Sequence, residues 1–216
     1  SFVKTLVIGA NGKIGRLFCQ KAAEQRFAVR AMLRDPAQCS FFESLGVETV
    51  LGDLEGEFGH GLEGCDRVVF TAGSGGHTGG DKTLLVDLYG AIRAIEESEK
   101  RGMQHFVMVS AMRAEQPLAG PPAIRHYLVA KKLADERLRV SRVPYTILRP
   151  GRLSDEPASG RVRSDPAAGR GMEISRENVA LCVLASLRQP GARGHSIDLL
   201  DGEQPIEDLF ASLEAV

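Results

Sequence analysis

The first 150 residues alternate short apolar runs with longer segments of helical periodicity. The runs Val68-Val69-Phe70 and Phe106–Val109 are almost continuously apolar, which is typical of strands buried on both faces of a sheet. Six runs are predicted to be strands: Thr5–Gly9, Ala28–Leu33, Glu48–Leu51, Arg67–Thr71, His105–Ser110 and Tyr145–Leu148. This pattern predicts a parallel sheet sandwiched between layers of helices.

Helical periodicity fills the gaps between several of these runs. Predicted helices are Lys13–Gln25, Leu84–Arg101, which ends before Gly102, and Ala123–Val140, which ends before Pro144. Parallel neighbours in a sheet need right-handed crossover connections, and helices supply them. The alternation therefore predicts an α/β fold with a doubly wound parallel sheet and helices on both faces.

The amino-acid composition of the chain changes after Pro150. Residues 151–171 are rich in Gly, Pro, Arg, Ser and Asp, and are predicted to be irregular. Ser175 is a predicted helix N-cap, and the helix it opens should reach about Arg188. The last two predicted elements are a strand, Ser196–Leu200, and a short helix near Ile206–Leu213.

Composition and charge narrow the possible functions. The chain has 216 residues, 43% of them hydrophobic and 25% charged, with a net charge of −1. We expect a single domain over 1–216, with part of 151–216 forming a substrate-side lid. The near-zero charge argues against nucleic-acid binding, and neither a signal peptide nor an apolar run long enough to cross a membrane is evident. We therefore expect a cytoplasmic protein whose partner is a small-molecule substrate, with its oligomeric state left open.

The cysteines and histidines do not predict a metal site. Cys19, Cys39, Cys65 and Cys182 lie far apart and form no CxxC pair, so we expect reduced and mostly buried thiols. The five histidines also lack the spacing of metal ligands.

A glycine-rich turn follows the first strand and opens the first helix. In such a turn the missing side chains let a pyrophosphate approach the backbone, and the helix N-terminus supplies N–H groups and a positive dipole end. The strand–turn–helix context makes the pattern more specific than its spacing alone. The predicted contacts are Gly9, Asn11, Gly12, Lys13, Ile14 and Gly15. We therefore predict a dinucleotide cofactor on a Rossmann-type fold.

The end of the second strand bears on which dinucleotide binds. Arg34 stands first after the strand, and a guanidinium suits the 2′-phosphate of NADP. Asp35 follows, and an acidic residue at this position can instead accept from the ribose hydroxyls of NAD. We predict NADP, with NAD as the alternative.

The loops after the third and fourth strands complete the predicted cofactor site. Asp53 and Leu54 lie where adenine is expected, and a cap of the following turn is the alternative role for Asp53. Ala72 and Gly73 are small enough to lie close to the cofactor. Residues Ser74–His77 either lie close to the cofactor as well or form a surface loop.

A candidate catalytic group is formed by Ser110, Tyr127 and Lys131. Tyr127 and Lys131 are four apart in a predicted helix and share its apolar stripe, whereas Lys132 lies off it. The Lys131 ammonium beside Tyr127 would lower the pKa of the tyrosine, which could then exchange a proton with the substrate. Ser110 would hold the substrate oxygen by a hydrogen bond. Lys131 would also contact the nicotinamide ribose. The alternative is a core tyrosine beside a snorkelling lysine.

With these residues in place, the chain resembles the atypical, NAD(P)H-binding branch of the short-chain dehydrogenase/reductase superfamily, some of whose members are named NAD-dependent epimerase/dehydratases. The resemblance covers Val3 to about Gly151 and includes the ending Leu148-Arg149-Pro150-Gly151. It implies a Ser110–Tyr127–Lys131 triad, cofactor contacts near Gly73, and substrate over the C-terminal ends of the strands. One departure is Asp87, at a position where the family usually has asparagine.

Five arginines follow the sheet: Arg149, Arg152, Arg161, Arg163 and Arg170. They suit either an anionic substrate or a solvated loop, and we favour the loop because nearby acidic residues offset part of the charge.

Three functions follow from these interpretations. The first is an NADP(H)-dependent oxidoreductase acting on a small carbonyl or alcohol. The second is a sugar-nucleotide epimerase or dehydratase that retains its cofactor. The third is an NADP(H)-binding sensor or interaction module without turnover.

Overall fold

The computed structural model describes residues 3–73, 79–165 and 172–216. Within them, nine strands form one sheet and two form a small separate sheet. The strands are β1 (Thr5–Ile8), β2 (Val29–Leu33), β3 (Glu48–Leu51), β4 (Arg67–Phe70), β5 (His105–Val109), β6 (Tyr145–Pro150), β7 (Arg152–Ser154), β8 (Arg161–Arg163), β9 (Glu173–Ser175), β10 (His195–Asp201) and β11 (Gln204–Pro205).

The large sheet has the order β11-β8-β10-β6-β5-β4-β1-β2-β3. All neighbours from β3 across to β10 are parallel, and only β8 and β11 add antiparallel pairs at one edge. The order reverses between β1 and β4, and such a reversal opens a crevice at the C-terminal ends of the strands. The predicted doubly wound, Rossmann-type fold is confirmed.

Helices cover both faces of this sheet. They are α1 (Lys13–Glu24), α2 (Cys39–Ser44), α3 (Gly80–Lys82), α4 (Ala91–Arg101), α5 (Arg125–Arg139), α6 (Arg176–Arg188) and α7 (Ile206–Ala211). A π-helical segment, Thr83–Gly90, joins α3 to α4.

The core divides into two layers because alternate residues of each strand point to opposite faces. On β4, for example, Val69 packs in the layer with α1 and α6, whereas Val68 and Phe70 pack in the layer with α4 and α5. Both faces of the strands are therefore buried, as their continuous apolar sequences predict.

The largest differences from prediction lie outside the parallel core. The predicted irregular segment 151–171 contains β7 and β8 within its described residues, and α2 was not predicted. Short strands of this kind carry weak local signals because their partners are distant in sequence. Ser175, in contrast, caps α6 as predicted, since its Oγ accepts a hydrogen bond from the Asn178 N–H at 3.0 Å.

Candidate cofactor crevice and active site

A crevice of about 510 Å³ opens where the sheet order reverses. Its walls come from the turn after β1, the segments after β2, β3 and β4, and the helix that follows β4. The lining residues that matter below are Asn11, Gly12, Arg34, Asp53, Leu54, Glu55, Ala72, Gly73 and Lys82. The structure therefore brings most of the predicted cofactor residues to one cavity.

The three glycines of the turn after β1 have different physical roles. Gly9 has a φ of +88°, and a Cβ there would lie 2.4 Å from the Ala72 backbone nitrogen. A Cβ on Gly15 would lie 2.3 Å from the Gly9 carbonyl oxygen. Protein packing thus requires both glycines. A Cβ on Gly12 would come no nearer than 3.4 Å to the Gly9 carbonyl oxygen, so the protein itself tolerates a side chain there.

Gly12 borders the crevice and is the N-cap residue of α1. The first turn of the helix, which includes Lys13, Ile14 and Gly15, has N–H groups without intrahelical acceptors and carries no acidic side chain. A bare backbone beside the positive end of a helix dipole fits a diphosphate. The predicted Lys13 contact is less direct, because its exposed ammonium lies 3.7 Å from Asp155 Oδ2.

The residues after β2 have separate roles. Asp35 caps the short 3₁₀ turn Pro36–Gln38, with its Oδ1 accepting from the Ala37 N–H at 2.9 Å. The guanidinium of Arg34 has no ion-pair partner among residues 3–73, 79–165 and 172–216. Arg34 lines the crevice, whereas an oxygen of Asp35 is committed to its own turn.

The segments after β3 and β4 lie where the sequence indicated. Asp53 lines the crevice, but its Oδ1 also accepts from the Glu55 N–H at 2.9 Å, so part of its role is to cap this turn. Leu54 is buried beside it. Ala72 and Gly73 also line the crevice, while the predicted Ser74–His77 contacts lie outside the described residues.

A buried polar cluster lies between β5, α5 and the π-helical segment. Ser110 Oγ donates a hydrogen bond of 2.5 Å to Asp135 Oδ2. Lys131 is only 1% exposed, and the charges of Asp135 and Asp87 act on its ammonium. A Cβ added to Gly73 would lie 3.2 Å from Asp87 Oδ1, so the cluster reaches the crevice wall. Lys131 points inward, as its position on the apolar stripe predicts.

Tyr127 is half-buried, and its electrostatic surroundings differ from the prediction. Burial and, to a lesser extent, the carboxylates of Asp87 and Asp135 together raise its pKa to about 12. The expected lowering of the Tyr127 pKa by Lys131 is therefore wrong for this structure, because burial and the two nearby carboxylates both disfavour a phenolate. At neutral pH the Tyr127 hydroxyl carries its proton.

Asp135 is a site residue that sequence reasoning missed. It lies four residues after Lys131, which itself lies four after Tyr127, so the three share one helix face. Burial raises the pKa of Asp135, and the Lys131 ammonium and the Ser110 hydrogen bond oppose that shift. The sequence does contain a signal for this residue, because Asp135 is an acidic residue next to the apolar stripe that holds the oppositely charged Lys131.

Removing the buried ammonium should destabilise the fold. In Lys131→Met, Asp135 keeps its burial but loses the positive charge that lowers its pKa. We expect the free energy of unfolding at pH 8 to fall by about 3 kcal/mol. The pKa of Asp135 is raised in the folded protein, so this carboxyl group stabilises the fold less as pH rises. The loss of unfolding free energy in Lys131→Met should therefore be smaller at pH 5 than at pH 8.

The neighbouring Lys132→Met is the matched control for this measurement. Lys132 is 40% exposed and forms a 3.5 Å surface ion pair with Glu136, so its removal should cost less than about 1 kcal/mol. Urea denaturation of both variants at the two pH values checks the prediction. Equal stability of the two variants would contradict a stabilising interaction of the Lys131 ammonium with the buried carboxyl groups.

Arginines of the segment after the sheet are engaged with the protein. Arg149 pairs with Asp198 at 2.9 Å and with Glu115, and Arg152 pairs with Glu173 at 2.7 Å. Arg161 Nη1 donates to the Glu203 carbonyl and Arg163 Nη1 to the Asp165 carbonyl. Arg170 lies outside the described residues. These protein contacts argue against recognition of an anionic substrate, but the four described arginines lie on β6, β7 and β8 rather than in the predicted solvated loop.

Comparison with known proteins identifies the family. A family described as NAD(P)H-binding matches residues 9–190. The chain belongs to this atypical, NAD(P)H-binding branch of the short-chain dehydrogenase/reductases. The matched residues include the glycine turn, most residues that line the crevice, and the buried cluster.

Three similar proteins extend this finding. YhfK of Bacillus subtilis, named an uncharacterized sugar epimerase, is 43% identical over 98% of this chain and 100% of its own. A solved structure from Bacillus halodurans, named an NAD-dependent epimerase/dehydratase, has a TM-score of 0.94 and 40% identity over 98% and 100% of the two chains. The oxidoreductase ylbE of Lactococcus lactis has a TM-score of 0.84 at 24% identity, covering 98% and 96%, which shows the shared fold alone. Over nearly its whole length, the chain is thus similar to proteins named as epimerases, and its family is NAD(P)H-binding.

Three further observations concern metal binding, membrane-crossing helices and the cysteines. Over the described ranges, no cluster of three or more His, Cys, Asp or Glu side chains has a geometry that would hold a metal ion. In the same ranges, every helix is too short or too polar to cross a bilayer. The four cysteines are free, with Cys19 and Cys182 buried and the other two half-buried.

Proposed function

We propose that this protein is an NADP(H)-dependent oxidoreductase that reduces a small carbonyl compound. The observation that carries the cofactor class is the crevice over Gly12, where bare backbone borders the positive end of α1. NADPH, when bound there, supplies the hydride. Arg34 supports NADP over NAD because its guanidinium borders the crevice without an ion-pair partner among the described residues, while Asp35 is occupied as a turn cap.

The raised pKa of Tyr127 supports the direction of reduction. A tyrosine that keeps its proton at neutral pH is suited to donate it to a carbonyl oxygen as the alcohol forms. The proton lost by Tyr127 is then replaced from solvent. In this proposal Tyr127 acts as the general acid, and Lys131, buried beside two carboxylates, keeps the local charge balanced.

Ser110 has a role that depends on Asp135. Its hydroxyl proton is directed to Asp135 Oδ2, so the serine oxygen accepts rather than donates toward a substrate. When Asp135 is protonated, the carboxylic acid can donate to Ser110, and Ser110 can then donate to a carbonyl oxygen. The raised pKa of Asp135 favours this protonated form.

A sugar-nucleotide epimerase or dehydratase is the second candidate, favoured by the names of the relatives that are 43% and 40% identical. Such an enzyme keeps its dinucleotide through a catalytic cycle. Nucleotide that remains with the protein through purification, with no net NADPH oxidation, would favour it over the reductase. Dinucleotide binding with no turnover of any substrate would instead favour a sensor.

Titration of wild type and Arg34→Ala with NADPH and NADH tests the cofactor assignment. We expect wild type to prefer NADPH, and Arg34→Ala to weaken NADPH binding by about 10- to 100-fold, since a charge-assisted hydrogen bond contributes about 1.5–3 kcal/mol. NADH affinity should change by less than about 2-fold, because it lacks the phosphate. Calorimetry measures both affinities, and NADPH oxidation with a panel of small aldehydes and ketones tests turnover. Equal affinities in wild type would overturn the NADP assignment.

A further inference from the structure

Lys82 brings a second cation to the mouth of the cofactor crevice. It is the last residue of α3 and lies on the helix side of the cavity, across from the segment after β3. Its ammonium contacts both carboxylate oxygens of Glu55 at 2.9 Å. This ion pair therefore spans two walls of the same crevice.

The two cations of this mouth differ in their protein partners. Arg34 and Lys82 both line the cavity and are close enough for their charges to interact. Lys82 has Glu55 as a counter-ion, while Arg34 has none within the described ranges. The hydrogen bond to Glu55 raises the pKa of Lys82, and the positive charge of Arg34 opposes that rise. Lys82 is accordingly charged at neutral pH.

A phosphate dianion bound near Arg34 would be attracted by both charges. An ammonium has three donors, so Lys82 can turn one of them toward a phosphate while it leaves or shares Glu55. The pair is 45% and 24% exposed, so exchanging partners does not require unfolding of the wall. NADH, whose ribose has no 2′-phosphate, offers Lys82 no new partner in place of Glu55.

We propose that Lys82 is a second binding residue for the 2′-phosphate of NADP(H), and that Glu55 is its counter-ion until that phosphate arrives. Arg34 and Lys82 then contact the phosphate from two different segments. Glu55 weakens phosphate binding because its carboxylate competes for Lys82. The inference rests on the proposed NADP(H) function and adds to it a residue that determines specificity.

Calorimetric titration of Lys82→Met tests this proposal without any substrate. The probes are NADPH, NADH, adenosine 2′,5′-bisphosphate and 5′-AMP. We expect Lys82→Met to weaken NADPH and adenosine 2′,5′-bisphosphate by about 10-fold, the effect of one charge-assisted hydrogen bond. NADH and 5′-AMP affinities should change by less than about 2-fold.

Two further variants sharpen the assignment. Lys100→Met removes the same charge from an exposed residue of α4, whose ammonium contacts Glu97 at 3.5 Å, and should change none of the four affinities. Glu55→Gln should tighten NADPH and adenosine 2′,5′-bisphosphate by about 3-fold, because the competing carboxylate is gone. That gain should shrink in the Glu55→Gln/Lys82→Met double variant.

The outcomes separate this proposal from the one on which it rests. If wild type prefers NADPH and Lys82→Met leaves that preference intact, the assignment of Lys82 is overturned and the NADP(H) function stands. An equal loss of NADPH and NADH would also overturn it, because the lysine would then act on the shared part of the dinucleotide. If wild type binds neither dinucleotide, both proposals are overturned.

Discussion

Gly12→Asp should abolish dinucleotide binding while leaving the fold at least as stable as wild type. Gly12 has a φ of −71° and a ψ of 168°, which any residue can adopt, and it is the N-cap of α1. Aspartate is among the preferred N-cap residues, and replacing glycine with it there should add a few tenths of a kcal/mol of stability, on the order of 0.3. The same carboxylate would stand where the diphosphate is proposed to lie.

The loss of binding has two physical causes. The side chain fills space that the backbone leaves open, and its negative charge repels the diphosphate. Placing like charges together costs several kcal/mol, so we expect the Kd for NADPH to rise by about 100-fold or more. NADH should lose as much, because the diphosphate is common to both. Calorimetry and thermal unfolding on the same preparation measure the two effects.

Glycine variants at the neighbouring positions provide the controls. Gly12→Ala adds a Cβ only 3.4 Å from the nearest protein atom, so its fold should be intact and its affinity reduced less than that of Gly12→Asp. Gly15→Ala should instead unfold at a lower temperature, because its Cβ would lie 2.3 Å from the Gly9 carbonyl oxygen. Normal NADPH binding by Gly12→Asp would contradict the location of the diphosphate.

The placement of residues around the crevice was predictable because the signals for it are local. Gly9, Gly12 and Gly15 stand within seven residues, between a strand and a helix whose periodicities are clear. Arg34 directly follows a strand, so the topology of a parallel sheet brings it to the same edge. Ser175 could be assigned as a cap for the same reason, since its partner Asn178 is three residues away.

The polar cluster was only partly predictable because it depends on packing between distant elements. Ser110 and Asp135 are 25 residues apart, and their hydrogen bond forms because α5 packs beside the end of β5. Asp87 reaches the cluster from a π-helical segment, whose irregular spacing no periodicity argument anticipates. The sign of the Tyr127 pKa shift follows from its burial and from these two acidic groups, so it could not be derived from the Tyr127–Lys131 spacing.

Lys82 illustrates a different limit of sequence reasoning. Nothing in the short stretch Gly80–Lys82 distinguishes this lysine from others on the surface. Its significance comes from Glu55, which is 27 residues away and on the opposite wall of the crevice. A contact between two loops of a sheet edge depends on the path of both loops, which short-range patterns do not specify.

Tyr127→Phe should remove nearly all carbonyl reduction while NADPH binding stays the same. The hydroxyl is the proposed proton donor, and a positioned acid contributes about 10²- to 10⁴-fold to the rate. The variant keeps the ring, so the packing of α5 should be preserved. The measurement is kcat/KM for a carbonyl that wild type reduces, together with the Kd for NADPH.

The pH dependence gives this prediction a second readout. Because burial and two carboxylates raise the pKa of Tyr127 to about 12, its proton is present throughout pH 6 to 9. Any loss of wild-type kcat/KM that comes from tyrosine ionisation should therefore begin only above this range, since kcat/KM reports the ionisation of the free enzyme. A fall beginning near pH 7 that persists in Tyr127→Phe would assign that ionisation to another group. Unchanged kcat/KM in Tyr127→Phe would show that the proton comes from elsewhere, and Asp135, whose pKa is also raised by burial, would then be the next residue to test.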